Sequence, residues 1–334
     1  MKLVDLNAFI AEVASKINNS VTGIKGTPQE LYEASFHIFR AGGKRLRPAL
    51  VYASGRAFGA DEDALLAFAT GVELFHNFTL IHDDIMDNDD YRRGVPTVHK
   101  VYGIPTAILS GDLLFSLALH IPLSYCSTKM KSSRCIDASR KLAWASVTVA
   151  EGQALDMMFE SMKEVSEEQY FEMIYKKTAA LIEASVYIGG VLGKAEESEL
   201  KLLSSYGKNL GLAFQIVDDI LGIYGKEEET GKPVYSDIRE GKKTLLIIKA
   251  LNIATGEDKE LIEDVLGKKN LEKEKYSEVA DLIEKLGVLQ YAKSKAEGFV
   301  ADALEDLKNL EGKCDTEYLT LLKDMAYVVV KRRK

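Results

Sequence analysis

The stretch LIHDDIMDNDDYRRG, residues 80–94, places five aspartates within eight positions directly behind an apolar run, and two arginines follow. A second acidic pair, Asp218 and Asp219, lies in FQIVDDILGIYG, residues 214–225, with Gln215 three residues before Asp218. Two carboxylates ~4 Å apart repel by about 4 kcal/mol at an effective dielectric of 20. A fold that gathers two such clusters needs cations to hold them. Oxygen ligands with no nearby His/Cys set point to magnesium rather than zinc. Asp83 and Asp87 are one helical turn apart and can share ions, whereas Asp84 lies on the flank. Magnesium keeps several waters and takes oxygens from substrate phosphates. The short basic groups then find a use as phosphate contacts: Lys44, Arg45 and Arg47; Arg92 and Arg93; Lys176 and Lys177; Lys242 and Lys243. On this reading the aspartates hold metals, and the metals touch the substrate.

The elements that must position these residues read as helices. None of the six prolines falls between Pro122 and Pro233, and interior proline costs a helix about 3 kcal/mol. Ser166 with Gln169 forms a capping-box pattern, and Phe171, Ile174, Tyr175, Thr178, Ile182, Ser185 and Gly189 recur behind it on one helical face. A further helix starts near Glu199. The segment from Ala64 to Asp87 is apolar nearly all round, the mark of a buried helix. Its polar exceptions Glu73, His76, Asp83 and Asp87 fall within a sector of roughly 80°. Such a stripe must face partners, water or a cavity. The plainer reading is a solvated helix end, which five aspartates on one helix disfavour. No alternating strand and no hairpin signal is found. The fold expected is all-α.

Composition narrows the class. A chain of 334 residues with 46% hydrophobic residues can bury a large core, and no linker or low-complexity tract divides it. A net charge of −8 argues against a nucleic-acid surface. Three cysteines, Cys126, Cys135 and Cys314, form neither a disulfide framework nor a metal spacing, so a reducing cytoplasm is expected. No uncharged apolar run reaches about 18 residues, so no stable membrane insertion is expected. Residues 87–91 lack an EF-hand's spacing, EGKKT lacks the upstream glycine of a P-loop, and the five histidines lack a zinc-helix spacing.

Taken in order, GGKRLRP (42–48), LIHDDIMDNDDYRRG, EGQALD (151–156), KKTA (176–179), FQIVDD and GKPVYSDIREGKKT (231–244) resemble the short-chain trans-isoprenyl diphosphate synthases, of the archaeal geranylgeranyl type. The resemblance spans most of the chain. It implies a single domain over 1–334, a large helical bundle around a central active-site cavity, and a homodimer. Lys44, Arg47, His76 and Arg93 match the pocket for isopentenyl diphosphate. Arg92, Lys177, Lys232 and Lys242 match contacts to an allylic diphosphate (dimethylallyl, geranyl or farnesyl). Thr178 and Gln215 match polar groups near the ionising carbon. Asp83 and Asp87 match ligands of two magnesium ions, and Asp218 the ligand of a third. Thr79, small and one turn before Asp83, and Phe78, a floor to the product tunnel, match positions that favour a twenty-carbon product.

The implied reaction is head-to-tail prenyl transfer. The allylic diphosphate leaves, the double bond of isopentenyl diphosphate attacks the cation, and a proton is lost to the departed diphosphate. A farnesyl or mixed product, a head-to-head synthase or terpene cyclase, and a silent partner subunit remain as alternatives. One departure stands out: Gly222 lies one turn after Asp218, where the family often carries a third aspartate. An aspartate there is expected to be tolerated.

Overall fold

The computed structural model describes residues 5–130, 132–225 and 234–331. Helix accounts for 79% of the chain and strand for about 1%, so the fold is all-α. The N-terminal helices are α1 (Leu6–Thr22), α2 (Gln29–Ser35), α3 (His37–Arg40), α4 (Leu46–Ala57) and α5 (Glu62–Met86). A short ribbon, β1 (Tyr91–Arg92) and β2 (Val95–Pro96), precedes α6 (Val98–Tyr102), α7 (Ile104–Thr128), α8 (Ser133–Ser161) and α9 (Glu167–Ile174). A π-helical turn, Tyr175–Ala179, then leads into α10 (Ala180–Leu192) and α11 (Glu197–Tyr224). The remainder is α12 (Ser236–Glu240), α13 (Leu245–Ile253), α14 (Glu257–Val265), α15 (Lys273–Lys285), α16 (Val288–Lys308) and α17 (Thr316–Lys331).

These elements form two compact units, neither a continuous stretch of sequence. One comprises Met1–Ser146, Leu181–Ser205 and Asp306–Met325; the other comprises Val147–Ala180, Tyr206–Glu305 and Ala326–Lys334. In the first, α5 packs against α4 and α7, burying Leu65, Phe68, Val72, Leu74 and Phe75. Its start is fixed by Asp61, whose carboxylate accepts from the backbone N–H of Asp63 and Ala64, both at 3.1 Å. Gly71 lets α5 and α7 approach closely, since a Cβ there would stand 2.6 Å from the Ala118 carbonyl. The second unit is built around Tyr170, Ile174, Ile216, Ile220, Ile247, Tyr276 and Ile283.

Three expectations are corrected. The ribbon is a hairpin whose two turn residues, Arg93 and Gly94, have φ of 55° and 79°. Positive φ at both positions is what a tight two-residue turn requires, and arginine in the first place hides the usual Asn-Gly or Asp-Gly signal. The capping box on α9 is present, but the helix does not run on regularly to Gly189, because the π turn interrupts it. Cys126 and Cys135 are joined in a disulfide. An odd count and a spacing of nine concealed that the end of α7 and the start of α8 bring their Cα atoms to 5.7 Å, inside bridging range. By length and composition α5 and α7 would each pass for a membrane span, although Glu73 and Asp112 interrupt their uncharged runs. The apolar window of α5 is 72% buried in protein, whereas that of α7 is only 28% buried.

Candidate active site

In the first unit the acidic stripe of α5 is divided among different partners. Glu73, 2% exposed, pairs with the buried Arg45 guanidinium at 2.8 Å. Arg45 has φ of 48° at the start of α4, donates also to the carbonyl of Phe39, and stacks over the Phe39 ring at 3.9 Å. This pair, which the sequence left unassigned, ties the middle of α5 to the loop carrying Gly42, Gly43 and Lys44. One turn on, His76 Nε2 lies 3.4 Å from Arg47 Nη1. Burial and then the cations of Arg47 and Arg93 hold its imidazole well below the ordinary range, so it is neutral and can accept from Arg47.

At the far end of α5, Asp83 is half-buried, Asp84 is fully buried and Asp87 caps the helix. Arg92 Nε donates to Asp84 at 2.7 Å, and its Nη2 lies 3.2 Å from Asp89 and 3.9 Å from Asp83. Burial pushes Asp84 up to about 6 despite that cation. Asp84 therefore anchors the arginine, while Asp83 and Asp87 share the more open face. Arg93 turns the other way: its Nη1 donates to the carbonyls of Ile38 and Gly42. The positive-φ hairpin turn thus sends two adjacent arginines to two places, one to the aspartates and one to the glycine loop beside the exposed Lys44.

Beneath the aspartates, Thr79 donates to the carbonyl of His76 at 2.8 Å. Phe78 joins an aromatic cluster with Phe75, Phe115 and the His82 ring at centroid distances of 5.4, 5.3 and 4.8 Å. Phe115 comes from α7, so sequence proximity could not have found it.

In the second unit the π turn carries Lys177 and Thr178. It is gripped from two sides. A Cβ at Gly152 would stand 2.2 Å from the Lys177 nitrogen, and one at Gly211 would stand 2.4 Å from Ala179 Cα. Only glycine lets α8 and α11 approach the turn so closely. Lys177 Nζ donates to Asp156 at 2.6 Å, which gives the EGQALD stretch a partner. Thr178 donates to Gln215 Oε1 at 2.7 Å, Gln215 Nε2 donates to Asp219 at 2.8 Å, and Tyr170 donates to the other oxygen of Asp219 at 2.6 Å. Asp218 is exposed and Asp219 buried. Burial, then the neighbouring Asp237, pushes Asp219 up to about 8. Lys242 pairs with Glu240 at 3.1 Å. Lys232 lies outside the described residues.

Gly222 is not an open position. A Cβ there would stand 2.2 Å from Asp237 Oδ2. The space next to the helix one turn after Asp218 is already filled by a carboxylate from α12, so a side chain at Gly222 has to displace it. Among the described residues, no three His, Cys, Asp or Glu side chains are gathered into a closed metal cage. One or two carboxylates per ion, completed by water and substrate phosphate, is the usual arrangement for magnesium, so the donors present fit that ion.

An all-α fold with two aspartate-bearing helix ends and helix-end cations is that of the isoprenyl synthases. Residues 28–283 match the Polyprenyl synthetase family. A geranylgeranyl diphosphate synthase from Saccharolobus solfataricus is 43% identical over 331 residues, 99% of each chain. The crystal structure of geranylgeranyl pyrophosphate synthetase from Pyrococcus horikoshii Ot3 matches with a TM-score of 0.90 and 39% identity over 98% of both chains. A geranylgeranyl pyrophosphate synthase from Corynebacterium glutamicum, complexed with isoprenyl diphosphate and magnesium, matches with a TM-score of 0.87 and 26% identity over 99% of this chain and 100% of its own. The chain belongs to the polyprenyl synthetase family and is an enzyme that acts as a prenyltransferase.

Proposed function

We propose that residues 1–334 form one catalytic domain that condenses isopentenyl diphosphate head-to-tail with dimethylallyl, geranyl and farnesyl diphosphates, giving geranylgeranyl diphosphate. The observation that carries this reading is the division of Arg92 and Arg93 between the aspartates and the glycine loop. Two diphosphates need two cationic sites, whereas a terpene cyclase needs one. Lys44, Arg47, His76 and Arg93 bind isopentenyl diphosphate, the neutral imidazole orienting Arg47 rather than adding charge. Arg92, Lys177, Lys232 and Lys242 bind the allylic diphosphate and meet the charge that grows on it as it leaves. Asp83, Asp87 and Asp218 hold magnesium, three ions in all. Bound magnesium supplies Lewis-acid stabilisation of the leaving diphosphate. Thr178 and Gln215 lie against the ionising carbon, and Phe78 with Phe75 and Phe115 limits chain growth where the small Thr79 leaves room.

We place the enzyme in the cytoplasm as a homodimer, a placement that rests on its family and no longer on its cysteines, two of which are bridged. The outward face of α7, with Ile104, Ile108, Leu109 and Leu123 exposed, supports a second copy as its cover. Incubating the protein with labelled isopentenyl diphosphate and each allylic primer, with and without magnesium, tests the reading. Twenty-carbon diphosphate formed only with magnesium is expected. A cyclic or head-to-head hydrocarbon would favour the first rival, and no turnover of any primer would favour the silent subunit.

A further inference from the structure

The Thr178, Gln215, Asp219 and Tyr170 side chains form one continuous chain of hydrogen bonds. The Gln215 amide turns its nitrogen to one oxygen of Asp219 and its oxygen to the Thr178 hydroxyl, while the Tyr170 hydroxyl donates to the other Asp219 oxygen. The single hydroxyl proton of Thr178 is then committed to Gln215. What Thr178 can offer elsewhere is oxygen lone pairs, the polarity suited to a developing carbocation. The far end of this chain is the Tyr170 hydroxyl, on a side chain with no exposed surface, 2.6 Å from the second oxygen of Asp219. Tyr170 is in none of the motifs of the resemblance.

We propose that Tyr170 is a positioning residue for prenyl transfer: by locking the Asp219 carboxylate it fixes the polarity of Gln215 and Thr178 toward the reacting carbon. The inference rests on the placement of Thr178 and Gln215 given under Proposed function. Without the Tyr170 hydroxyl, one buried oxygen of Asp219 has lost its donor, and the carboxylate rotates to recover one. That rotation releases the Gln215 amide to flip, after which Thr178 accepts from Gln215 and can point its own proton at the cation. Asp219→Asn produces the same reversal from inside the chain, because an amide nitrogen then faces Gln215. The π turn makes the effect specific, since Gly152 and Gly211 hold its backbone and leave only the hydroxyl orientation to vary.

The test is steady-state kinetics on the wild type, Tyr170→Phe, Asp219→Asn and the double variant, together with the melting temperature and its rise on adding magnesium with inorganic diphosphate. Tyr170→Phe keeps the ring, so a melting temperature within about 5 °C of wild type is expected. Its kcat is expected to fall about tenfold or more while KM for both diphosphates stays within about threefold. The magnesium-induced rise should be unchanged. The double variant should lose no more than Asp219→Asn alone, because both changes act through one chain. A kcat for Tyr170→Phe within about twofold of wild type overturns the proposal, as does a fully multiplicative double variant. So does a kcat loss matched by loss of the magnesium-induced rise, which would make Tyr170 a support for Asp218 instead. A wild type that forms no prenyl diphosphate would fail the Proposed function itself, and this inference with it. An active wild type with an indifferent Tyr170→Phe overturns only the inference.

Discussion

Replacing Gly222 tests whether Asp237 occupies the place of a third aspartate. An alanine Cβ would stand 2.2 Å from Asp237 Oδ2, 2.4 Å from its Cγ and 2.6 Å from its Oδ1. Asp237 is 7% exposed, so room for it to move is limited. Overpacking of this kind costs about 1–3 kcal/mol. An unfolding entropy of about 2.1 cal/mol/K per residue means a degree of melting temperature is worth about 0.7 kcal/mol for a chain of this length. Gly222→Ala should therefore melt about 1.5–4 °C below wild type. Gly222→Asp adds a charge near Asp237, a further ~4 kcal/mol at ~4 Å and an effective dielectric of 20, or about 6 °C more. Combining Gly222→Asp with Asp237→Ala returns one carboxylate to the same space and should recover most of the loss. Calorimetry of the four proteins without metal, followed by activity against magnesium concentration, reads both effects. A Gly222→Ala protein that melts within about 1 °C of wild type would show that Asp237 moves aside freely, and the argument would fail.

Asp83→Ala or Asp87→Ala should cut turnover by at least a hundredfold without lowering the melting temperature of the metal-free protein, because each change relieves repulsion; more than about a tenth of wild-type activity would remove the residue from the mechanism. Arg93→Ala should raise KM mainly for isopentenyl diphosphate and Arg92→Ala mainly for the allylic primer; Arg92→Ala should also destabilise the fold, since the buried Asp84 loses its cation, and equal effects on both substrates would refute the division. Phe78→Ala should lengthen the product beyond twenty carbons and Thr79→Phe shorten it, read by chromatography of the dephosphorylated alcohols; an unchanged product from an active Phe78→Ala protein would move the floor elsewhere. His76, with its pKa lowered in the fold, contributes stability that is present above its ordinary value near 6.5 and lost as pH falls through it, because the unfolded chain then binds the extra proton. His76→Gln should flatten the acid limb of a stability–pH curve below that point by up to about 1.4 kcal/mol per pH unit, and an unaltered limb would show that the imidazole charges freely in place.

Much of the site was legible because its residues are unusual for their surroundings. Acidic pairs at the ends of apolar helices are unusual, so Asp83 with Asp87 and Asp218 with Asp219 stood out from period and composition, whereas the choice of Asp218 over Asp219 came from the family pattern. Helix period also placed Gln215 on the face of Asp218, whereas the structure bonds it to Asp219, and the capping box at Ser166 gave the start of α9. Lys44, Arg47, Lys177 and Lys242 were different: nothing but the family pattern separated them from ordinary surface cations.

What stayed hidden depends on contacts between segments far apart in sequence. Arg45 looked like another phosphate ligand within a basic run, yet its partner Glu73 lies 28 residues on. Glu73 in turn looked like part of a polar stripe, and the αL backbone of Arg45 at the start of α4 brings the two together. The π turn left no local mark, since one extra residue in a helix does not disturb an apolar stripe over a single turn. Its cause lies in Gly152 and Gly211, whose missing side chains admit a wider turn. Gly222 shows the same limit from the other side. As a sequence position it read as a carboxylate lost; in the fold that loss is the condition for Asp237 to approach α11 from a different helix. A motif position therefore reports which side chain is absent from one helix, while the charge at that point in space is set by whichever helix packs there.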